Sequence, residues 1–160
     1  MKRILATMLC LATASVAMAG EWVFVTITSD DSKEAHVIAY DRETITNHDG
    51  DINVWFAWIN SIPTLKYDLV LDLWQIDCNQ KRRKTLQRSF YLRGKHLHPS
   101  SHNKEEWKYA IPGSVGDTLI EFSCKKLDIG ITTKTGSLVE LVKKGKELIK
   151  EQASQKGNAF

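Results

Sequence analysis

The chain has 160 residues, of which 42% are hydrophobic and 26% are charged, and its formal net charge is +3 at pH 7. This is the length of one domain, and it supplies enough apolar side chains to bury a core. The nearly balanced charge excludes the broad positive field by which nucleic-acid binders recognise phosphate, so no nucleic-acid partner is expected.

Residues 1–19 have the pattern of a signal peptide that is removed on export. Lys2 and Arg3 form a basic start, residues 4–16 are mostly apolar, and residues 17–19 give a small-x-small cleavage pattern. The apolar run is too short to cross a bilayer, which argues against a membrane anchor. We therefore expect an exported protein, in the periplasm or at the outer-membrane surface or outside the cell, with no membrane-spanning segment after cleavage.

Three cysteines divide between the signal peptide and the predicted domain. Cys10 lies in the apolar run, and the bulky Leu9 stands before it where a lipoprotein signal carries a small residue, so we expect no lipid anchor. Cys78 and Cys124 remain after export. An even number of cysteines in an oxidising compartment favours a disulfide, and the alternative is two buried free thiols.

Runs rich in Val, Ile, Phe, Tyr and Thr predict β-strands through most of the chain. A turn containing Gly50 predicts one hairpin, and residues 79–84 predict the tip of a later one. Pro63 lacks a backbone N–H and predicts the end of the fourth strand. That strand is apolar on both faces, which predicts a central strand covered on both sides. The predicted strands cover residues 21–28, 36–41, 44–46, 52–60, 67–78, 85–93 and 117–124.

The end of the chain changes to helical periodicity. Leu138, Leu141, Leu148 and Ile149 recur on one face, and Ser137 with Glu140 forms a capping box, so residues 137–153 predict an amphipathic helix. Its apolar face is expected to cover the sheet. The predicted fold is therefore α+β: an antiparallel, meander-like β-sheet with a C-terminal helix packed on it and one disulfide. A single domain over residues 20–155 is expected, with its sheet within residues 20–126 and a flexible tail at 156–160.

An ordered set of short segments resembles the surface-adhesin protein E family of Gram-negative bacteria. The resemblance covers residues 21–125 and leaves residue 127 onward outside it. It implies an antiparallel sheet with a helix near it, a Cys78–Cys124 disulfide and exposure beyond the inner membrane. The matching segments are 21–23, 40–45, 54–55, 76–78, Tyr91, Trp107, 111–116 and 124–125.

The resemblance also implies a function as an exported, non-enzymatic binding module. The implied ligands are host extracellular-matrix or serum proteins. The alternative is a soluble periplasmic structural or accessory protein, or an inhibitor, that binds an envelope partner. Because no lipid anchor is expected to hold the domain at the cell surface, this alternative gains weight. A homodimer through a sheet edge is a further expectation.

A dense basic segment is the candidate ligand-binding surface. It is expected to bind a protein or an anionic glycan, such as a glycosaminoglycan or lipopolysaccharide. The alternative is a solvated turn whose charges guard a strand edge against aggregation. The segment comprises Lys81, Arg82, Arg83, Lys84, Arg88, Arg93 and Lys95.

Other polar groups carry weaker indications. His96, His98 and His102 have spacing that could hold zinc or copper, but no cysteine or carboxylate stands at a standard interval, so neither a metal nor another cofactor is expected. Strand alternation places Asp68 and Asp72 opposite Asp77, which argues against a paired-carboxylate site. Ser114 lacks the flanking pattern of a nucleophile, so no enzyme activity is expected. The five tryptophans, Trp22, Trp55, Trp58, Trp74 and Trp107, are more typical of core packing than of a sugar-binding platform.

Overall fold

The computed structural model describes residues 20–29, 35–64, 66–97, 105–125, 127 and 130–157. The predicted signal peptide and Cys10 lie outside these residues. The described chain forms nine strands and two helices. In chain order they are β1 (Gly20–Ser29), β2 (Ala35–Asp41), β3 (Thr46–His48), β4 (Asp51–Thr64), β5 (Tyr67–Asp77), β6 (Arg82–Leu92), β7 (Lys95–His96), β8 (Lys108–Tyr109), α1 (Val115–Lys125), β9 (Ile131–Thr135) and α2 (Leu138–Gly157).

The strands form one open antiparallel sheet, which confirms the predicted fold class. Its order is β7-β6-β5-β4-β2-β1-β9, with β3 also paired to β4 and β8 also paired to β6. Neighbours in sequence are mostly neighbours in the sheet, as in a meander. The exception is β9, which returns after α1 to pair with β1. The sheet therefore extends past the predicted limit at residue 126.

A helix packs on each face of the sheet, as the apolar pattern of β4 predicts. On one face, Ala57 and Ile59 of β4 pack with Leu141 and Leu148 of α2. On the other face, Val54 and Phe56 belong to a second apolar cluster that includes Leu119 and Ile120 of α1. We call these the α2 face and the α1 face. Because a helix buries each face, alternate side chains of the central strands enter two separate cores.

The prediction of a strand at 117–124 is wrong, because this segment is the helix α1. Ser114 caps it: its hydroxyl oxygen accepts the N–H of Asp117 at 3.2 Å. The Asp117 carboxylate in turn accepts the N–H of Gly113 at 3.0 Å. This reciprocal arrangement satisfies N–H groups that the first helical turn leaves without partners. Local capping and burial of Leu119 and Ile120 outweigh the strand preference of the side chains.

Four boundaries also differ from those predicted. The third strand, predicted at 44–46, lies at Thr46–His48, where it pairs with β4 next to the turn. β4 continues across Pro63 to Thr64, and its pairing with β5 shifts after Ile59, which accommodates a residue without an N–H. The hairpin tip ends at Lys81, where φ is +48°, so residues 82–84 belong to β6. The helix α2 continues to Gly157, into the predicted tail.

Capping and close packing fix α2 on the sheet. The Ser137 hydroxyl accepts the N–H of Glu140 at 3.3 Å, as the capping-box pattern predicts. The Glu140 carboxylate accepts the N–H of Gly136 at 2.7 Å. Gly145 lies directly over the sheet: a Cβ at this position would lie 2.7 Å from Ile59 Cδ1 and 2.8 Å from Val37 Cγ1. The missing side chain therefore sets how closely the helix approaches the strands.

The predicted disulfide is present between Cys78 and Cys124, 46 residues apart. It joins the end of β5 to α1 and so holds this helix against the α1 face. Closing a loop of this length contributes about 4 kcal/mol in the chain-entropy view. None of the helices in the described ranges is both long enough and apolar enough to cross a membrane.

Candidate functional site

The predicted basic segment does not form one cationic surface. Successive residues of β6 point to opposite faces, so Arg83 lies on the α1 face while its neighbours Arg82 and Lys84 lie on the α2 face. Lys81 precedes the strand and contacts α1. Arg93 and Lys95 are exposed at the far end of β6, around the turn to β7.

Lys81 contributes to the attachment of α1. Its ammonium group lies 3.4 Å from the Asp117 carboxylate and 3.3 Å from that of Glu121. Hydrogen bonding to Glu121 and then to Asp117 raises the pKa of Lys81. The positive charge of Lys81 is therefore already balanced by two carboxylates of α1 within the same chain.

A mixed basic and aromatic surface forms where β6 pairs with β8. Trp107 lies beneath two cations: the Arg82 guanidinium is 4.6 Å from its ring centre, and the Lys84 ammonium is 4.7 Å away. Arg82 pairs in register with Tyr109, so Tyr109 points to the same face. Tyr109 and Ile111 are 67% and 74% exposed. We call Arg82, Lys84, Trp107, Tyr109 and Ile111 the β6–β8 surface.

A second feature is a concave site of about 380 Å³ on the α1 face, beside the part of the sheet that α1 covers. We call it the aromatic cavity. Its volume lies at the small end of the range for ligand pockets. It is lined by His36, Trp58, Asn60, Tyr67, Val70, Asp72, Trp74, Arg83, Arg88 and Phe90.

A bulge in β6 brings the two arginines of this cavity together. Trp74 pairs with Thr85 but Leu73 pairs with Gln87, so Leu86 is an extra residue in β6. In a regular strand Arg83 and Arg88 would point to opposite faces, because five positions, an odd number, separate them. The bulge places both arginines on the α1 face.

The two arginines have different environments. Arg88 holds Asp72 through two hydrogen bonds of 2.7 Å, from Nε and Nη2 to the two carboxylate oxygens. This pairing raises the pKa of Arg88, and it neutralises a carboxylate that is only 1% exposed. The Arg83 guanidinium instead stacks on Trp74, 3.8 Å from the ring centre. Burial lowers the pKa of Arg83, because it removes water from the charge.

The cavity also contains groups that sequence reasoning missed. The His36 ring donates through Nδ1 to the Asn60 side-chain oxygen at 2.7 Å. The rings of Tyr67 and Phe90 lie 5.0 Å apart. One feature of the sequence could have indicated this cavity. Asp72 is a carboxylate in an otherwise apolar run, and a buried carboxylate requires a partner.

The three aspartates of β5 do not form a site together. The prediction that Asp68 and Asp72 share a face is wrong: Asp68 accepts the N–H of Arg93 and lies 3.7 Å from Lys146 of α2. Asp77 accepts the N–H of Gln80, which lowers its pKa, and also binds Arg82. Each carboxylate therefore has a structural partner. Ser114, as described above, is a helix cap.

Of the three histidines considered as a metal site, only one belongs to the residues that the structure describes. His96 is exposed and lies against the Tyr91 ring, with 5.1 Å between ring centres. His98 and His102 lie outside the described residues. Within the residues that are described, no three His, Cys, Asp or Glu side chains are grouped so that they could hold a metal ion.

Comparison with known proteins identifies the family. The sequence profile described as surface-adhesin protein E matches residues 22–125, which run from the third residue of β1 to the end of α1 and include both disulfide cysteines. No curated protein and no solved structure matches the chain. The profile covers well over half of the sequence, and the chain therefore belongs to the surface-adhesin protein E family, whose name denotes exported adhesins of the cell surface.

Proposed function

We propose that this protein is an exported, non-enzymatic adhesin module that binds a host extracellular-matrix or serum protein through the β6–β8 surface. Family membership supports the general role. The observation that carries the assignment of the surface is the exposed pair Tyr109 and Ile111 beside the half-buried Trp107, which lies under two cations.

The composition of this surface fits a protein partner. Trp, Tyr and Arg are the residues that most often dominate the free energy of protein–protein binding. Trp107 is held in place by Arg82 and Lys84, so it loses little rotamer freedom when a partner binds. Tyr109 and Ile111 present apolar area that folding leaves in water. Arg82 is already paired with Asp77 at 3.0 Å, so the charge that favours acidic partner segments comes from Lys84.

The experiment compares the purified protein with two matched double variants. Tyr109→Ser with Ile111→Ser removes the exposed apolar groups of the β6–β8 surface. Ile131→Ser with Val139→Ser removes two other exposed apolar groups, 51% and 56% exposed, at distant positions of the fold. Binding to individual immobilised serum and extracellular-matrix proteins is measured by surface plasmon resonance.

We expect the Tyr109/Ile111 variant to weaken binding at least about tenfold, since loss of interface anchors costs about 2 kcal/mol or more. The Ile131/Val139 variant should bind within about twofold of wild type. If both variants lost affinity equally, the partner would not bind at the β6–β8 surface. If no serum or matrix protein binds and an envelope protein copurifies instead, the periplasmic accessory role replaces the adhesin role.

A further inference from the structure

We propose that the aromatic cavity is a binding site for a carboxylated sugar ring, separate from the β6–β8 surface. Three features support this: aromatic lining residues, a guanidinium that makes no ion pair among the described residues, and polar groups in the same lining. None of them is needed to bind a partner protein at the sheet edge.

The side chains that line the cavity carry one more positive charge than negative charges, which favours an anionic ligand. Its lining carries two guanidinium groups, on Arg83 and Arg88, but one carboxylate, on Asp72. Both oxygens of Asp72 are taken by Arg88. Among the described residues, the Arg83 side chain makes no hydrogen bond and no ion pair, and its guanidinium lies over the Trp74 ring.

Glu105 is the other carboxylate that acts on these arginines. Its negative charge influences both Arg83 and Arg88. However, Glu105 does not line the cavity, and its carboxylate lies 3.6 Å from the Lys108 ammonium. The charge of Glu105 is therefore offset by Lys108, and the cavity keeps an excess of one positive charge.

Arg83 is placed to bind a carboxylate. A guanidinium presents a planar fork of donors that matches the two oxygens of a carboxylate, and bonds between two charged groups are the stronger class. Stacking on Trp74 holds the plane of this fork in one orientation. A partly desolvated arginine gains more from an incoming anion than a fully hydrated one, because less water has to be displaced.

The rest of the cavity favours a sugar ring as the body of the ligand. Trp58 and Phe90 add aromatic surface that the C–H groups of a ring can cover. His36, Asn60 and Tyr67 add polar groups to the lining, with which ring hydroxyls can form hydrogen bonds. His36 and Asn60 bind each other through one atom each, so the second ring nitrogen of His36 and the Tyr67 hydroxyl are the groups offered to a ligand. An aromatic or aliphatic acid without hydroxyl groups would make no use of them.

The test is an NMR titration of the full protein that follows the tryptophan indole N–H signals. The probes are N-acetylneuraminic acid, galacturonic acid, the neutral sugar glucose, and acetate as a carboxylate without a ring. Trp58 and Trp74 line the cavity, whereas Trp22 lies in the core under α2 and Trp107 at the sheet edge. We expect saturable shifts of the Trp58 and Trp74 signals with a carboxylated sugar, and binding at least about tenfold weaker for glucose and for acetate.

The two acidic sugars distinguish the source of the ligand. Tighter binding of N-acetylneuraminic acid indicates a host glycan, and tighter binding of galacturonic acid indicates an envelope polysaccharide. Failure of both to bind, or equal binding of glucose or acetate, would overturn the proposal. These outcomes need no variant, so they hold even if a substitution disturbs folding.

Two neighbouring substitutions then test the role of Arg83. Arg83→Gln removes the charge inside the cavity, and Lys84→Gln removes the same charge on the opposite face of the same strand. We expect Arg83→Gln to weaken binding of the acidic sugar at least about tenfold and Lys84→Gln to leave it within about twofold. Wild-type affinity in a folded Arg83→Gln protein would contradict the assignment. Arg83→Gln should also leave binding at the β6–β8 surface unchanged, which separates this test from that of the proposed function.

Discussion

At the scale of single residues, the direction of each side chain decides what the basic segment does. Read as a sequence, residues 81–84 form one block of charge. In the fold, strand alternation sends Arg83 to the aromatic cavity and Lys84 to the opposite face. The bulge at Leu86 then returns Arg88 to the side of Arg83. Composition marks the segment as basic, but the division of its residues between the two faces depends on strand bounds and on one extra residue that no local pattern marks.

The Asp72–Arg88 pair gives the first prediction at this scale. Asp72→Asn should lower the free energy of unfolding by about 2 kcal/mol, because it leaves Arg88 without its counter-ion. The expected cost is below that of a fully buried pair, since the Arg88 side chain is 43% exposed. Urea unfolding measures the change. As a control, Asp49→Asn alters a side chain that is 93% exposed, and it should change stability by less than about 0.5 kcal/mol. Equal effects of the two substitutions would show that the pair is not structural.

A second prediction concerns acid stability. Backbone N–H groups of Gln80 and Gly113 hold the pKa values of Asp77 and Asp117 below the ordinary 3.8. The folded protein therefore binds these protons more weakly than the unfolded chain does. Their contribution is complete above pH 3.8 and is lost as pH falls through the lower folded values. We expect Asp117→Asn to flatten this loss of stability.

Asp41 provides a control, because its pKa is shifted in the opposite direction. Burial raises its pKa, so protonation of Asp41 favours the folded state as the pH falls. Replacing it with Asn should make the acid loss steeper. Urea midpoints measured from neutral pH to below 3.8 compare the two variants with wild type. Parallel profiles for all three proteins would refute the assigned pKa directions.

At the scale of elements, strands that alternate and pair with sequence neighbours were predictable. β1, β2 and β5 lie within one residue of the predicted ends, because β-rich runs and flanking turns define them. The turn at Asp49 and Gly50, both with positive φ, also matches the predicted hairpin. α1 was mistaken for a strand because its β-preferring residues hid a helical cap. β9 was missed because it is short and mostly exposed, and its partner β1 is far away in sequence.

The contact between α2 and the sheet gives the prediction at this scale. Gly145→Ala should lower the free energy of unfolding by about 1–2 kcal/mol, since the new methyl group must displace Ile59 and the stiffer Val37. This loss would occur although alanine favours a helix more than glycine does. The matched control is Gly116→Ala in α1, where the added Cβ meets only Ser114 Oγ at 3.7 Å.

Gly116→Ala should leave stability unchanged or raise it by up to about 1 kcal/mol. Thermal and urea unfolding of both variants give the comparison. If Gly145→Ala proved as stable as Gly116→Ala, the close approach of α2 to β2 and β4 would not depend on the missing side chain.

At the scale of the whole molecule, the fold combines two rigid cores with two different exposed sites. α2 closes one face of the sheet, and α1, tied by the Cys78–Cys124 disulfide, closes part of the other. The uncovered part of the α1 face forms the aromatic cavity, and the sheet edge at β8 forms the β6–β8 surface. The family resemblance predicted the sheet and the disulfide. It could not predict these sites, which depend on register and on where the helices stop covering the sheet.

Protease accessibility on intact cells shows whether this protein is displayed at the cell surface, as the proposed adhesin function requires. Cells that produce the protein are treated with a protease too large to cross the outer membrane, with a periplasmic protein as the control. We predict that the domain is cleaved while the periplasmic control stays intact. Protection of the domain until the outer membrane is opened would contradict the adhesin function and favour a periplasmic partner.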